Sequence, residues 1–291
     1  MLLRALLLLS LALVSAARAE PMPVVASFSI LGDMVHEVGG DEVKVTSLVG
    51  PDGDAHVYQP SPRDAKGVAS AKLVVINGLG LEGWMERLIS SAQFKGTVVT
   101  ASAGITPQRL SDSAAVPDPH AWQDIGNGEI YVQTIAAALE AADPEHAALY
   151  RQRADAYLGK LTELDRWTRD EIARVPQDKR VIITTHDAFQ YFGRAYGVTF
   201  HAAVGMDEDS EPDAAGVAQL IRQIRREHIH ALFIENMTDP RLIEQLVRET
   251  GTSLGGELFA DALSKPGEGG ETYLAMFRNN VPKMVEAMSR N

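Results

Sequence analysis

DPEHAALYRQRADAYLGKLTELDRWTRDEIARV, residues 143–175, carries the longest helical pattern in the chain, and its reading organises everything on either side. Asp143 reads as an N-cap, with Pro144 at the first helical position and Glu145 in the first turn. Apolar side chains recur at Tyr150, Ala154, Tyr157, Leu161, Leu164 and Trp167, in steps of three and four that mark one helix face. The interior Gly159 weakens this by only about 1 kcal/mol. At 1.5 Å per residue, roughly 31 residues make a rod of about 46 Å. We read it as a rigid strut joining two lobes, the alternative being an ordinary long surface helix inside one domain.

Short β-branched runs alternate with amphipathic stretches on both sides of this segment, the pattern of α/β units with parallel sheets. Strands are expected at 24–30, 43–49, 73–76 and 97–100, then at 180–185, 198–204, 230–234 and 256–260. Helical patterns fall at 31–38, 61–71, 83–92, 187–196, 212–226, 240–249 and 272–288. The expected fold is two α/β lobes, each with a mainly parallel sheet, bridged by one long α-helix. The divisions are 1–19, 20–142 for the first lobe, 143–175 for the linking helix and 176–291 for the second lobe.

Residues 1–19 read as a signal peptide, with Arg4 ahead of an apolar run from Ala5 to Val14 and a small-residue site at Ala17-Arg18-Ala19. Cleavage is expected after Ala19, placing the protein in a bacterial periplasm. No later stretch reaches the ~20 continuous apolar residues of a spanning helix, so no membrane insertion is expected. The formal charge of −12 becomes −14 without Arg4 and Arg18, which argues against nucleic acid as a partner. With no cysteine, disulfides and a lipidated N-terminal Cys are excluded, and a transition-metal site must draw on His, Asp and Glu.

Four candidate ligands sit just past an expected strand or in a Pro-punctuated loop: His56 in GPDGDAHVYQPSP, His120 in VPDPHAWQD, His186 in VIITTHDAF and Asp261 in GELFADALS. Loops at the carboxyl ends of strands line the ligand crevice of open α/β sheets. Three imidazoles and one carboxylate would complete a tetrahedral zinc shell, and imidazole favours zinc or copper over manganese. Taken singly, each has another reading. A histidine after a strand is more often a hydrogen-bonding residue, and Asp261 can cap the next turn. The gaps of 64, 66 and 75 residues match no local zinc signature.

Four motifs in order resemble the zinc- and manganese-specific periplasmic solute-binding proteins of ABC importers, over essentially the whole mature chain. They are His56 through VYQPSP to the NGLGLE run at 77–82, DPHAW around His120, THDAFQYFGRAYG at 185–197, and FADALS with the closing YLAMFRNNVPKMVEAM. The resemblance implies His56, His120, His186 and Asp261 as ligands of one transported Zn(II) per chain, and a two-lobed fold with a bridging helix. Members that favour manganese tend to carry a carboxylate at the third position, where this chain has His186. The implied partners are a permease and an ATPase subunit, with the binding protein itself a monomer. The His- and Asp-rich loop often found between the first two ligands of zinc-specific members is absent, so a periplasmic metallochaperone becomes an alternative source of metal. Here Ala55 precedes His56 where many relatives place a proline.

Other function classes fit less well. A zinc hydrolase keeps three protein ligands and a water, whereas four ligands close the shell and no HExxH occurs. A surface adhesin would need an anchor. Delivery of manganese in the same role is the nearer alternative. His201 is expected to neighbour the crevice without ligating, and Trp122, two residues from His120, to shield it. The acidic run Met206–Asp213 is expected to be a solvated loop leading into the next helix, or a mobile lid over the metal.

Overall fold

A computed structural model describes residues 20–109, 116–203 and 214–291; the leader 1–19 and the run Met206–Asp213 lie outside the described residues. The first half runs β1 (Met22–Phe28), α1 (Ser29–Gly39), β2 (Val43–Val49), α2 (Pro62–Ser70), β3 (Leu73–Ile76), α3 (Met85–Ser91) and β4 (Thr97–Thr100). Two helices follow, α4 (Ile125–Ala142) and α5 (Ala147–Ala173). The second half runs β5 (Val181–Thr184), α6 (Gln190–Tyr196), β6 (Thr199–Ala202), α7 (Ala214–Glu227), β7 (Leu232–Glu235), α8 (Arg241–Thr250), β8 (Leu254–Leu258) and α9 (Tyr273–Met288). Among the described residues, no helix is long and apolar enough to cross a membrane.

The strands form two parallel four-stranded sheets, ordered β2-β1-β3-β4 and β6-β5-β7-β8. In the first, Val24 of β1 pairs with Val45 on one side and Leu73 on the other. In the second, β5 sits between β6 and β7 in the same way. Each sheet therefore reverses its strand order beside its first strand, and in both lobes the loops past the strand ends open at that switch point. The expected architecture of two parallel-sheet lobes with a long bridging helix is the one found.

The bridging helix differs from expectation at its start. Asp143 does not cap it; Asp143 ends α4, and α5 begins at Ala147 with His146 as its N-cap. The Asp143 carboxylate instead accepts from His146 Nδ1 at 2.7 Å and from the Tyr150 hydroxyl at 2.7 Å. At 27 residues, α5 is about 40 Å long. Its buried stripe is Tyr150, Ala154, Tyr157, Leu161, Leu164, Thr168 and Ile172, and it packs on α1 and α4 of the first lobe and α6 and α9 of the second. The main apolar core runs without interruption from Val24 through Tyr131 and Leu161 to Phe277 and Met284, so the lobes share one packed interior.

Helix α4 has no counterpart in the helical patterns expected from sequence. IGNGEIYVQTIAAALEAA holds small or apolar residues on most of its circumference, so it lacks the polar stripe that reveals a surface helix. Its Gly128 serves a close approach: a Cβ there would lie 2.7 Å from the Tyr273 hydroxyl and 3.1 Å from its ring. That buried hydroxyl donates to Trp122 O, so the tyrosine has nowhere to retreat. Gly128→Ala is expected to destabilise the fold by about 1–3 kcal/mol, read as a lowered denaturant midpoint. An unmoved midpoint would mean that α4 and α9 do not pack this way.

Candidate metal centre

Local structure places each of the four candidates. His56 lies in the loop after β2, where its backbone N–H donates to Asp54 Oδ1 at 2.6 Å and Trp84 Nε1 holds the preceding Ala55 carbonyl at 2.8 Å. His120 precedes a single 3-10 turn, with its N–H on Asp118 Oδ1 at 2.9 Å. Asn77 Nδ2 fixes the Pro119 carbonyl at 2.9 Å. His186 stands two residues beyond β5, and its N–H and that of Thr185 both donate to Glu235 Oε1 at the end of β7, at 3.2 and 3.1 Å. Asp261 follows β8, after a carbonyl, Ala260 O, that accepts from Trp122 Nε1 at 2.9 Å and Gln123 Nε2 at 2.8 Å.

The tertiary structure brings these four side chains together, with one ligand atom from each within 4.8 Å of all the others. His56 Nε2 is 3.2 Å from His120 Nε2 and 3.1 Å from Asp261 Oδ2. Asp261 Oδ2 is also 3.1 Å from His186 Nε2 and 3.5 Å from His120 Nε2. A tetrahedron with bonds near 2.05 Å has edges of roughly 3.3 Å, so these separations match the cage such a metal needs. His120, His186 and Asp261 are fully buried and only His56 reaches solvent, which gives the cluster one open side. Asp261 Oδ1 is buried without a hydrogen-bond donor, a costly arrangement that a bound cation would relieve. Among the described residues no other group of His, Asp and Glu gathers in this way, and His201 instead meets Gln223 Nε2 at 3.1 Å.

Two carboxylates absent from the sequence reading orient the imidazoles. His120 Nδ1 donates to Asp118 Oδ1 at 2.7 Å, and His186 Nδ1 is ion-paired with Glu235 Oε2. Each contact fixes the tautomer that leaves Nε2 facing the cluster. Burial pushes the His120 imidazole down, but Asp261 and Asp118 outweigh it and lift it up to about 9. His186 is lifted well above its usual range against the same burial, by Glu235 and Asp261. Burial pushes Asp261 up, yet His120 and His186 hold it far below the usual carboxylate range. The signals were present in the sequence: an acid two residues before His120, and an acid closing the apolar strand LFIE at 232–235.

A third support is the NGLGLE turn. Gly78, Leu79 and Gly80 all have positive φ, 81°, 57° and 89°, a strained path for Leu79. Glu82 stabilises it by accepting from Asn77 N at 2.6 Å, Gly78 N at 3.1 Å and Ser27 Oγ at 2.6 Å. The Asn77 amide is also held by the Tyr131 hydroxyl. A buried polar network thus sets the carbonyl just ahead of His120.

Residues 24–287 match the family model described as zinc-uptake complex component A, periplasmic. The manganese-binding lipoprotein MntA of Bacillus subtilis is 34% identical over 276 residues, 92% of this chain and 90% of that protein. The iron ABC transporter substrate-binding lipoprotein MtsA of Streptococcus pyogenes is 31% identical over 284 residues, 94% of this chain and 91% of that protein. The structure of the periplasmic zinc-binding protein TroA from Treponema pallidum superposes with a TM-score of 0.87 at 30% identity, covering 93% of this chain and 99% of that one. The chain therefore belongs to the family of periplasmic zinc-uptake component A proteins.

Proposed function

We propose that this protein is the exported substrate-binding component of a metal ABC importer, and that its cargo is zinc, held by His56, His120, His186 and Asp261. The reading rests above all on the buried meeting of three imidazole nitrogens and one carboxylate at tetrahedral spacing. Two of the imidazoles are oriented by carboxylates at Nδ1, as metal-bound histidines usually are. With four ligands the shell leaves no position for a reacting water, which suits capture and release better than hydrolysis. The partners implied are a permease and an ATPase, and the protein acts in the periplasm after removal of residues 1–19.

Manganese is the second reading, favoured by the manganese-binding name of the Bacillus subtilis relative. A site with three nitrogens and one carboxylate favours zinc over manganese, which prefers an oxygen-rich shell. A competitive titration of metal-stripped residues 20–291 with zinc and manganese, beside His186→Ala, separates them. Trp122 serves as the fluorescent reporter, with its ring 5.4 Å from that of His120. Zinc is expected to bind one-to-one, to displace manganese, and to be held at least a hundredfold more weakly by the variant. Preference for manganese would overturn the choice of metal, and indifference to losing His186 would overturn the site.

A further inference from the structure

The turn that carries Asp261 continues β8, where Phe259 N–H donates to Asn280 Oδ1 at 3.0 Å, and is fastened to the first lobe as well. Ala260 O accepts from Trp122 and Gln123, Leu263 N–H donates to Ser29 Oγ at 2.9 Å, and Leu263 O accepts from Asp52 N–H at 3.0 Å. His56, His120 and Asp261 thus stand on one framework. His186 is apart from it, held through Glu235 by the end of β7 in the second sheet.

The residue after Glu235 spans the gap. Asn236 N–H donates to Leu258 O at 3.1 Å. Its side-chain Oδ1 accepts from Ala260 N–H at 3.4 Å, and its Nδ2 donates to Ala262 O at 3.3 Å, so the amide brackets Asp261 on both sides. The same Nδ2 reaches Asp52 Oδ1 at 2.9 Å, in the turn four residues before His56. We infer that Asn236 is a positioning residue that ties the His186–Glu235 end of the second sheet to the three-ligand framework, and that breaking this tie limits how fast metal leaves.

Magnitudes assign the tie to one bond. The contacts to Ala260 and Ala262 are long, whereas the bond to Asp52 is short and charge-assisted. Lys265 Nζ also meets Asp52, at 2.7 Å, but its side chain is 64% exposed, and such ion pairs contribute little. Removing Asn236 or Asp52 should therefore matter, and removing Lys265 should not.

The inference rests on the proposed metal site, and its test keeps the two apart. Release of zinc from the one-to-one complex of residues 20–291 into excess chelator is followed by stopped flow. Asn236→Ala and Asp52→Ala are each expected to speed release about tenfold with association nearly unchanged, and Lys265→Ala by less than about twofold. The double variant N236A/D52A should release no faster than the faster single variant, because both break one bond. N236D sets two carboxylates face to face and should release at least as fast as N236A. Adding D52N to N236D restores a donor opposite an acceptor and should slow release again, which a loss of general stability could not do. An unmoved rate in N236A, multiplying effects in the double variant, or no recovery in the N236D/D52N pair would overturn the tie alone. A parent protein that binds no zinc would overturn the metal-site reading and the tie with it.

Discussion

Asp261→Ala is expected to lower zinc affinity by two to four powers of ten. Asp261 Oδ2 approaches all three imidazoles and is the one carboxylate among the four proposed ligands, in a fully buried position. Without it, a divalent ion would sit among neutral nitrogens in a medium that solvates charge poorly. Removing one partner of a buried charge pair costs about 3–5 kcal/mol, which is the range given. A smaller effect opposes it. Asp261 raises His120 and His186, so its loss also weakens proton competition for the same nitrogens. Asp261→Asn keeps the shape and removes the charge, and should fall within about tenfold of the alanine variant if charge decides. Competition against a chelator of known affinity measures all three proteins. Affinity within tenfold of the parent would show that Asp261 is not a ligand.

Zinc affinity is also expected to climb steeply with pH, by up to about two powers of ten per unit below pH 9. Lifted by the acids around them, His120 to about 9 and His186 well above its usual range, both imidazoles are expected to hold a second ring proton at neutral pH before metal arrives. Coordination needs the free pair on Nε2 while Nδ1–H stays on Asp118 or Glu235, so each must release one proton. Two protons leave as one divalent ion enters, and the buried charge is unchanged. Calorimetry in buffers of different ionisation enthalpy should report about two protons released at pH 7. An affinity that stays flat between pH 6 and 8 would mean that the pair is not protonated.

Stability without metal should run the other way. A histidine raised in the folded protein contributes stability that is fully present below its unfolded value, near 6.5, and lost as pH rises through its folded value, about 9 for His120. Asp261, held low, contributes stability that is present above 3.8 and lost only in strong acid. Between pH 7 and 9 the metal-free protein should therefore melt lower while its zinc affinity increases.

Much of the fold was legible because its signals are local. The strand Leu73–Ile76 and the capping box of Ser61 with Asp64 at the start of α2 declare themselves within a few residues. Where local signals compete, the reading slipped. Asp143 and Pro144 look like a helix start, but the end of α4 and the Tyr150 hydroxyl claim the carboxylate first. Helix α4 escaped notice because its outer face carries small residues such as Gly126, Ala137 and Ala141, so the two-faced pattern of its burial is faint in the sequence.

The sequence by itself determined the alternation of strands and helices apart from α4, the two parallel-sheet lobes, the long bridging helix and the four residue types set at strand ends or in loops. These follow from periodicity, capping and residue chemistry, which act over a few residues of chain. Only the tertiary structure decided that His56, His120, His186 and Asp261 meet within 4.8 Å, that Asp118 and Glu235 aim two of the rings, and that Asn236 spans the two halves. Those relations join positions up to 205 residues apart. They arise from the packing of two sheets against one shared core, whose geometry no short stretch of chain encodes.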